Sequence, residues 1–163
     1  LWPHAERAGR ELSVDPRAIV AQAALETGWG SRQIRDESGR STFNLFGIKA
    51  DARWDGRRVG VTTLEFEDGL PGPTRAQFRA YDSLAEGVAD YVRFLKGNPR
   101  YAGALARGGS GAGFAAGLQS AGYATDPAYA TKIRDILESP ALDAAVTTLK
   151  TGGGLPTQAA TRS

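Results

Sequence analysis

The chain has 163 residues, 41% hydrophobic and 23% charged, with a formal net charge of +2, a length that suits one domain with a real core. It contains no Cys and a single His, which excludes disulfide scaffolds, thiolate metal sites, Cys nucleophiles and multi-His metal centres. Basic residues are interspersed with acidic ones in no run longer than Arg57-Arg58, so no nucleic-acid footprint is visible, and no apolar run approaches the ~20 residues of a membrane span.

Taken in chain order, Pro3 to Leu12 reads as a helix that stops at the turn-like Ser13-Val14. Asp15-Pro16 then offers a capping side chain followed by proline, a helix start. This second helix runs through Glu26 and breaks at Gly28 and Gly30. Ile19, Ala23 and Glu26 share one face, so a carboxylate continues an apolar stripe at the helix's C-terminal end. Residues 31 to 56 are irregular, with an aromatic patch at Phe43 to Gly47.

From Val59 the period changes to two. Val61, Thr63, Glu65 and Glu67 fall on one face, and Thr62, Leu64 and Phe66 on the other. Asp68 to Pro73 reads as a turn, and Ala76, Phe78 and Ala80 as a return strand. Ser83 and Glu86 form a capping-box pattern ahead of a stripe of Leu84, Val88, Tyr91 and Leu95. Gly108 to Gly111 reads as a flexible connection. A helix is predicted over Ala112 to Ala121, and Asp126-Pro127 announces the last one, with Ile133, Ile136 and Leu137 as its buried face. From Ser139 the chain turns Ala-rich, then Gly-rich, which predicts a domain over 1–138 and a tail or linker over 139–163. The fold class expected is mainly α (α+β), a helical domain with a small β-hairpin lobe.

Cleavage of a glycosidic bond usually needs one carboxyl that stays protonated and often a second that stays ionised. Apolar neighbours and the negative end of a helix dipole both disfavour charge on Glu26, which suits a general acid. The competing reading is an exposed last-turn Glu paired with Arg32. For Glu65 and Glu67, which share a strand face, it is an ion pair with Arg75 or Arg79. His4 has no assigned role, and nothing in the chain implies a metal or an organic cofactor.

Gln22-Ala23-Ala24-Leu25-Glu26-Thr27-Gly28-Trp29-Gly30 resembles the acid-bearing signature of the glucosaminidase branch of lysozyme-like peptidoglycan hydrolases, glycoside hydrolase family 73. Asn44-Leu45-Phe46-Gly47-Ile48-Lys49 is similar to a cleft-lining segment of that family. Phe78-Arg79-Ala80-Tyr81-Asp82-Ser83 with Asp90-Tyr91 is similar to its next helix start. Ala121 to Ala130 resembles its G-Y-A-T-D-x-x-Y-A stretch. The four motifs lie in the family's order and span about residues 1 to 137. The nearest likeness is to the enzyme domains of flagellar rod-associated muralytic proteins.

The resemblance implies a lysozyme-like fold with a cleft between the helices and the hairpin, acting on peptidoglycan glycan strands as an endo-β-N-acetylglucosaminidase. Glu26 matches the general acid and Glu65 the second carboxylate, with Glu67 as its rival. Tyr123 matches a residue that stabilises transition-state charge or positions the N-acetyl group. Trp29, Phe46 and Tyr129 are placed to stack on sugars, although Trp29 also suits a core role that seals the helix turn. Asn44 lies in the cleft segment, and Asp90 at an acidic position that equally suits tertiary hydrogen bonding. Inverting, retaining and substrate-assisted routes stay open, as do muramidase or lytic transglycosylase action and an inactive wall-binding scaffold. A chain without Met reads as a piece of a longer protein. Its missing N-terminal part is expected to meet flagellar rod proteins in the periplasm, at the cell wall.

Overall fold

The computed structural model describes residues 1–151; the expectation of a linker over 152–163 lies outside the described residues. Helix α1 (Trp2–Leu12) buries Trp2, Ala5, Ala8, Gly9 and Leu12, at the three- and four-residue spacing of one face, and ends at Ser13 in the left-handed region, φ 57°. The Asp15 side chain accepts from the Arg17 N–H at 2.9 Å and starts helix α2 (Pro16–Thr27). Every residue from Ala18 to Ala24 is buried, so α2 is the central helix. Its alanines let α1, α5 and α6 pack closely around it.

Strands β1 (Arg58–Glu67) and β2 (Leu70–Arg79) pair antiparallel, with Glu65 opposite Gly72 and Glu67 opposite Leu70. The expected turn through Pro73 shrinks to Asp68-Gly69, both at positive φ, 53° and 77°. A two-residue hairpin loop of that hand matches strand twist. Pro71 and Pro73 are tolerated inside β2 because each strand of a two-stranded sheet keeps a free edge.

Helix α3 (Leu84–Gly97) is capped by Ser83, which accepts from the Glu86 N–H at 3.1 Å. It buries Val88, Tyr91, Val92 and Leu95. A short 3₁₀ turn (Pro99–Tyr101) and helix α4 (Ala102–Ala106) follow where no periodicity announced them. Helix α5 (Gly111–Ser120) is capped by Ser110. Of the preceding glycines, Gly108 sits in a packed corner, while Gly109 is exposed. The Gly108 carbonyl accepts from the Asp15 N–H at 2.9 Å, and a Cβ at Gly108 would stand 2.6 Å from the Ser13 carbonyl oxygen.

Helix α6 spans Tyr129–Leu137 and fully buries Ile133; Ile136 and Leu137 are only half-buried against the core. It is not the last helix. The structure differs from a tail beginning at 139, because Pro140–Lys150 forms α7, capped by Ser139, with Leu142, Ala145, Val146 and Leu149 buried. These four follow the helical spacing, but alanine and threonine between them dilute the apolar signal, and their burial depends on a surface offered by α1, α2 and α6. The helical core centres on Ile19, Phe46, Tyr91, Phe114, Leu118, Ile133 and Leu142. Among the described residues no helix is long and apolar enough to cross a membrane.

Candidate active site

Helix α2 stops at Gly28, whose φ of 56° suits a residue without a side chain. That stop leaves Glu26 in the last turn at the floor of a cleft of about 940 Å³, walled by β1 and by residues 122–132. Glu26 Oε1 accepts from the Tyr129 hydroxyl at 2.8 Å. The same hydroxyl accepts from Gln22 Nε2 at 2.9 Å, and Gln22 Oε1 accepts from the Tyr91 hydroxyl at 2.6 Å. Gln22 sits one helical turn before Glu26, on the same side of α2. Each donor in this buried chain has one acceptor, which commits the Tyr129 proton to the carboxyl.

Gly47, at φ 64°, closes over the other oxygen: a Cβ there would lie 2.8 Å from Glu26 Oε2. Burial pushes Glu26 up from 4.5 to about 7. The Tyr129 hydrogen bond opposes the rise, the Glu65 charge adds to it, and the Lys49 charge opposes it. A carboxyl in this state is largely protonated below neutral pH and about half protonated at neutrality.

Glu65 reaches the same cleft from β1. Its carboxylate pairs with the Lys49 ammonium and accepts from the Thr125 hydroxyl at 2.7 Å, and Thr125 Oγ1 in turn accepts from the Phe66 N–H at 2.9 Å. Burial raises its pKa, but the two hydrogen bonds and the Lys49 charge outweigh burial and hold it below the ordinary carboxylate value. The competing pairing of Glu65 with Arg75 or Arg79 does not form; Arg79 is engaged by Asp90 at 3.0 Å. Nor does Arg32 pair with Glu26; it lies against Gly28.

Of the remaining sequence-predicted residues, Tyr123 and Tyr129 line the cleft. Their rings stack with centroids 6.0 Å apart, and the Tyr123 hydroxyl donates to the Phe46 carbonyl at 2.7 Å. Burial is the main cause that raises both phenols above their usual range, followed by Glu26 for Tyr129 and by Tyr91, then Glu26, for Tyr123. Tyr129 is itself buried, so its hydroxyl rather than its ring face serves the site.

The others do not line the cleft. Phe46 is buried and stacked on Tyr91 at 3.8 Å. Asn44 is buried with its amide spent on the Ile48 and Arg79 carbonyls and the Ile48 N–H, pinning the segment that carries Gly47. Asp90 is buried and held by Arg79, Arg93 and the Tyr81 hydroxyl, anchoring the base of β2. Glu67 is exposed at the far end of the hairpin. Trp29, at φ 59°, packs half-buried against the core after the α2 stop. Sequence reasoning missed Gln22, Tyr91, Lys49 and Thr125 as site residues. Gln22 was legible as the i−4 neighbour of Glu26; the other three depend on contacts across the fold.

A helical lobe facing a two-stranded hairpin across a cleft, with one carboxyl held protonated and another ionised, defines a lysozyme-like glycoside hydrolase. The model of the glucosaminidase family, described as mannosyl-glycoprotein endo-beta-N-acetylglucosaminidase, matches residues 2–142, and the chain belongs to this family. It is 50% identical over 133 residues to the peptidoglycan hydrolase FlgJ of Vibrio cholerae, covering 82% of this chain and 40% of that protein. The chain thus spans about two fifths of that relative's length. It is 35% identical over 144 residues to the exo-glucosaminidase LytG of Bacillus subtilis, covering 86% of this chain and 49% of that protein. A crystal structure of a peptidoglycan hydrolase mutant from Sphingomonas sp. A1 superimposes with a TM-score of 0.82 at 43% identity, covering 88% of this chain and 92% of that one.

Proposed function

We propose that the chain is a peptidoglycan hydrolase, an endo-β-N-acetylglucosaminidase that cuts the glycan strand by general-acid catalysis. The observation that carries this reading is the opposed state of two carboxyls in one cleft: Glu26 is pushed up to about 7, and Glu65 is held below its ordinary value. Glu26 donates its proton to the leaving glycosidic oxygen. Because Tyr129 already donates to Oε1, the acid proton resides on Oε2. Glu65 keeps its negative charge against the oxocarbenium-like transition state.

Tyr129 and Gln22 act as positioning residues. They hold the Glu26 carboxyl in one orientation, and their hydrogen bonds are satisfied before substrate arrives, so no reorganisation is needed during reaction. Names of the relatives support the substrate class: FlgJ is a peptidoglycan hydrolase and LytG an exo-glucosaminidase. In the cell, this reading places the chain in the periplasm at the wall, opening it for a flagellar rod and meeting rod proteins through a further domain.

Digestion of purified sacculi tests the proposal by mass spectrometry of the released muropeptides. The expected products carry N-acetylglucosamine at the reducing end. Muramic acid there would assign the other linkage, and anhydro-muramic acid a transglycosylase. Glu26→Gln should release none of the three.

A further inference from the structure

The cleft does not end at its walls. Arg100, in the 3₁₀ turn after α3, lines both the main cleft and an adjoining shallow hollow of about 200 Å³. Arg107 stands at the same hollow, over a floor of Gly103, Ala104, Gly117 and Ala121. The floor is set by backbone: a Cβ at Gly117 would stand 2.5 Å from the Ala104 Cα, whereas Gly103 faces open space.

The hollow's lining contains no acidic residue. Among the described residues neither Arg100 nor Arg107 forms an ion pair; in the main cleft Lys49, Arg53 and Lys132 are paired with Glu65, Asp51 and Asp126, while Arg32 and Arg35 are not paired. The cation at Glu65 is thus neutralised, and the hollow presents two guanidiniums with no carboxylate in its lining.

We infer that the Arg100–Arg107 hollow is a binding subsite for a short peptide that carries a free carboxylate, branching from the glycan in the cleft. This rests on the peptidoglycan reading above, in which alternate sugars bear stem peptides. Such peptides are rich in alanine and end in or display carboxylates. A floor of small residues accepts alanine-sized side chains, and a volume below the ~300 Å³ of a typical ligand pocket suits one or two residues. A guanidinium offers the planar fork that fits a carboxylate bidentately. The subsite makes the enzyme prefer strands that still bear their peptides over bare glycan.

The test compares kcat/KM on intact sacculi with kcat/KM on the same strands after an amidase has removed every stem peptide. The wild-type chain should favour the peptide-bearing strands by about tenfold, the scale of a charge-assisted hydrogen bond. Arg107→Gln, which lies outside the main cleft, should erase that preference by slowing peptide-bearing strands alone, and Arg107→Lys should restore part of it. Equal rates on the two substrates by the wild type, or equal slowing of both by Arg107→Gln, would overturn the subsite. Titration of the ¹⁵N-labelled chain with a synthetic stem tetrapeptide separates this from the activity reading. Shifts of the Arg100 and Arg107 side-chain signals that vanish with an amidated peptide support the subsite even if neither substrate is cut. No shift overturns it even if both are.

Discussion

The helical lobe and the hairpin each supply one carboxyl to the cleft, under opposite physical conditions. Glu26 rides on α2, a helix whose residues from Ala18 to Ala24 are all buried, and its state is set by what surrounds it. Glu65 rides on a two-stranded sheet in which only Phe78 is fully buried, while Leu64 and Leu70 are 61% and 72% exposed. An isolated hairpin is marginal in water. This one is held by the antiparallel bridge of Lys49 with Phe78, by Asp90 on Arg79, and by Thr125 and Lys49 on Glu65. Glu26 is therefore tuned by burial among packed helices, and Glu65 by a few polar ties across a gap.

Substitutions that act on one lobe should leave the other's signature intact. Glu26→Gln carries the largest effect: kcat should fall by about 10²–10⁴-fold, read on sacculi by reducing-end release. The same variant has a stability signature. A native pKa raised from 4.5 to about 7 means the folded state holds more protons than the unfolded state across that interval. Stability therefore falls as pH rises from about 4.5 through 7, by up to about 3 kcal/mol. Glu26→Gln should remove that slope, with urea melts at pH 5 and pH 8 as the measurement.

Next in size is Leu142→Ala, in α7. Removing a fully buried leucine should cost about 2–5 kcal/mol by urea denaturation, with the pH profile of the remaining folded enzyme unchanged. A loss below about 0.5 kcal/mol would place α7 outside the core.

Thr125→Val acts on the hairpin alone. It removes one of the bonds that hold Glu65 ionised, so the acidic limb of the pH–rate profile should move to higher pH while the alkaline limb, set by Glu26, stays near 7. Because Thr125 is exposed, stability should change by only about 1 kcal/mol. An alkaline limb that moved instead would mean the two carboxyls do not divide the roles as proposed. Smallest is Leu64→Ser, expected within about 0.5 kcal/mol of wild type because the side chain is mostly exposed.

Much of this architecture was written locally. The caps at Asp15 and Ser83, the apolar stripe of α3, and the alternation of β1 act over three or four residues, so the chain alone determined where those elements run. The motif around Glu26 likewise marked the carboxyl proposed as the acid, and the family. Local signals failed where the deciding partner was distant. Helix α7 is masked by alanine and threonine until the core covers Leu142, Val146 and Leu149. Asn44, Phe46 and Asp90 sit in motifs beside the site, yet their side chains are consumed by the scaffold.

The helix position of Glu26 already pointed to a disfavoured charge; what only the tertiary structure decided is the size of that effect and the opposite state of Glu65. Residues 26 and 65 are chemically alike in the sequence. One is desolvated at the end of a buried helix beneath Gly47 and Tyr129, and the other is drawn against Lys49 and Thr125. A carboxyl's charge depends on the dielectric and the charges within a few ångströms of it, and those neighbours, up to 103 residues away along the chain, are assembled only by folding.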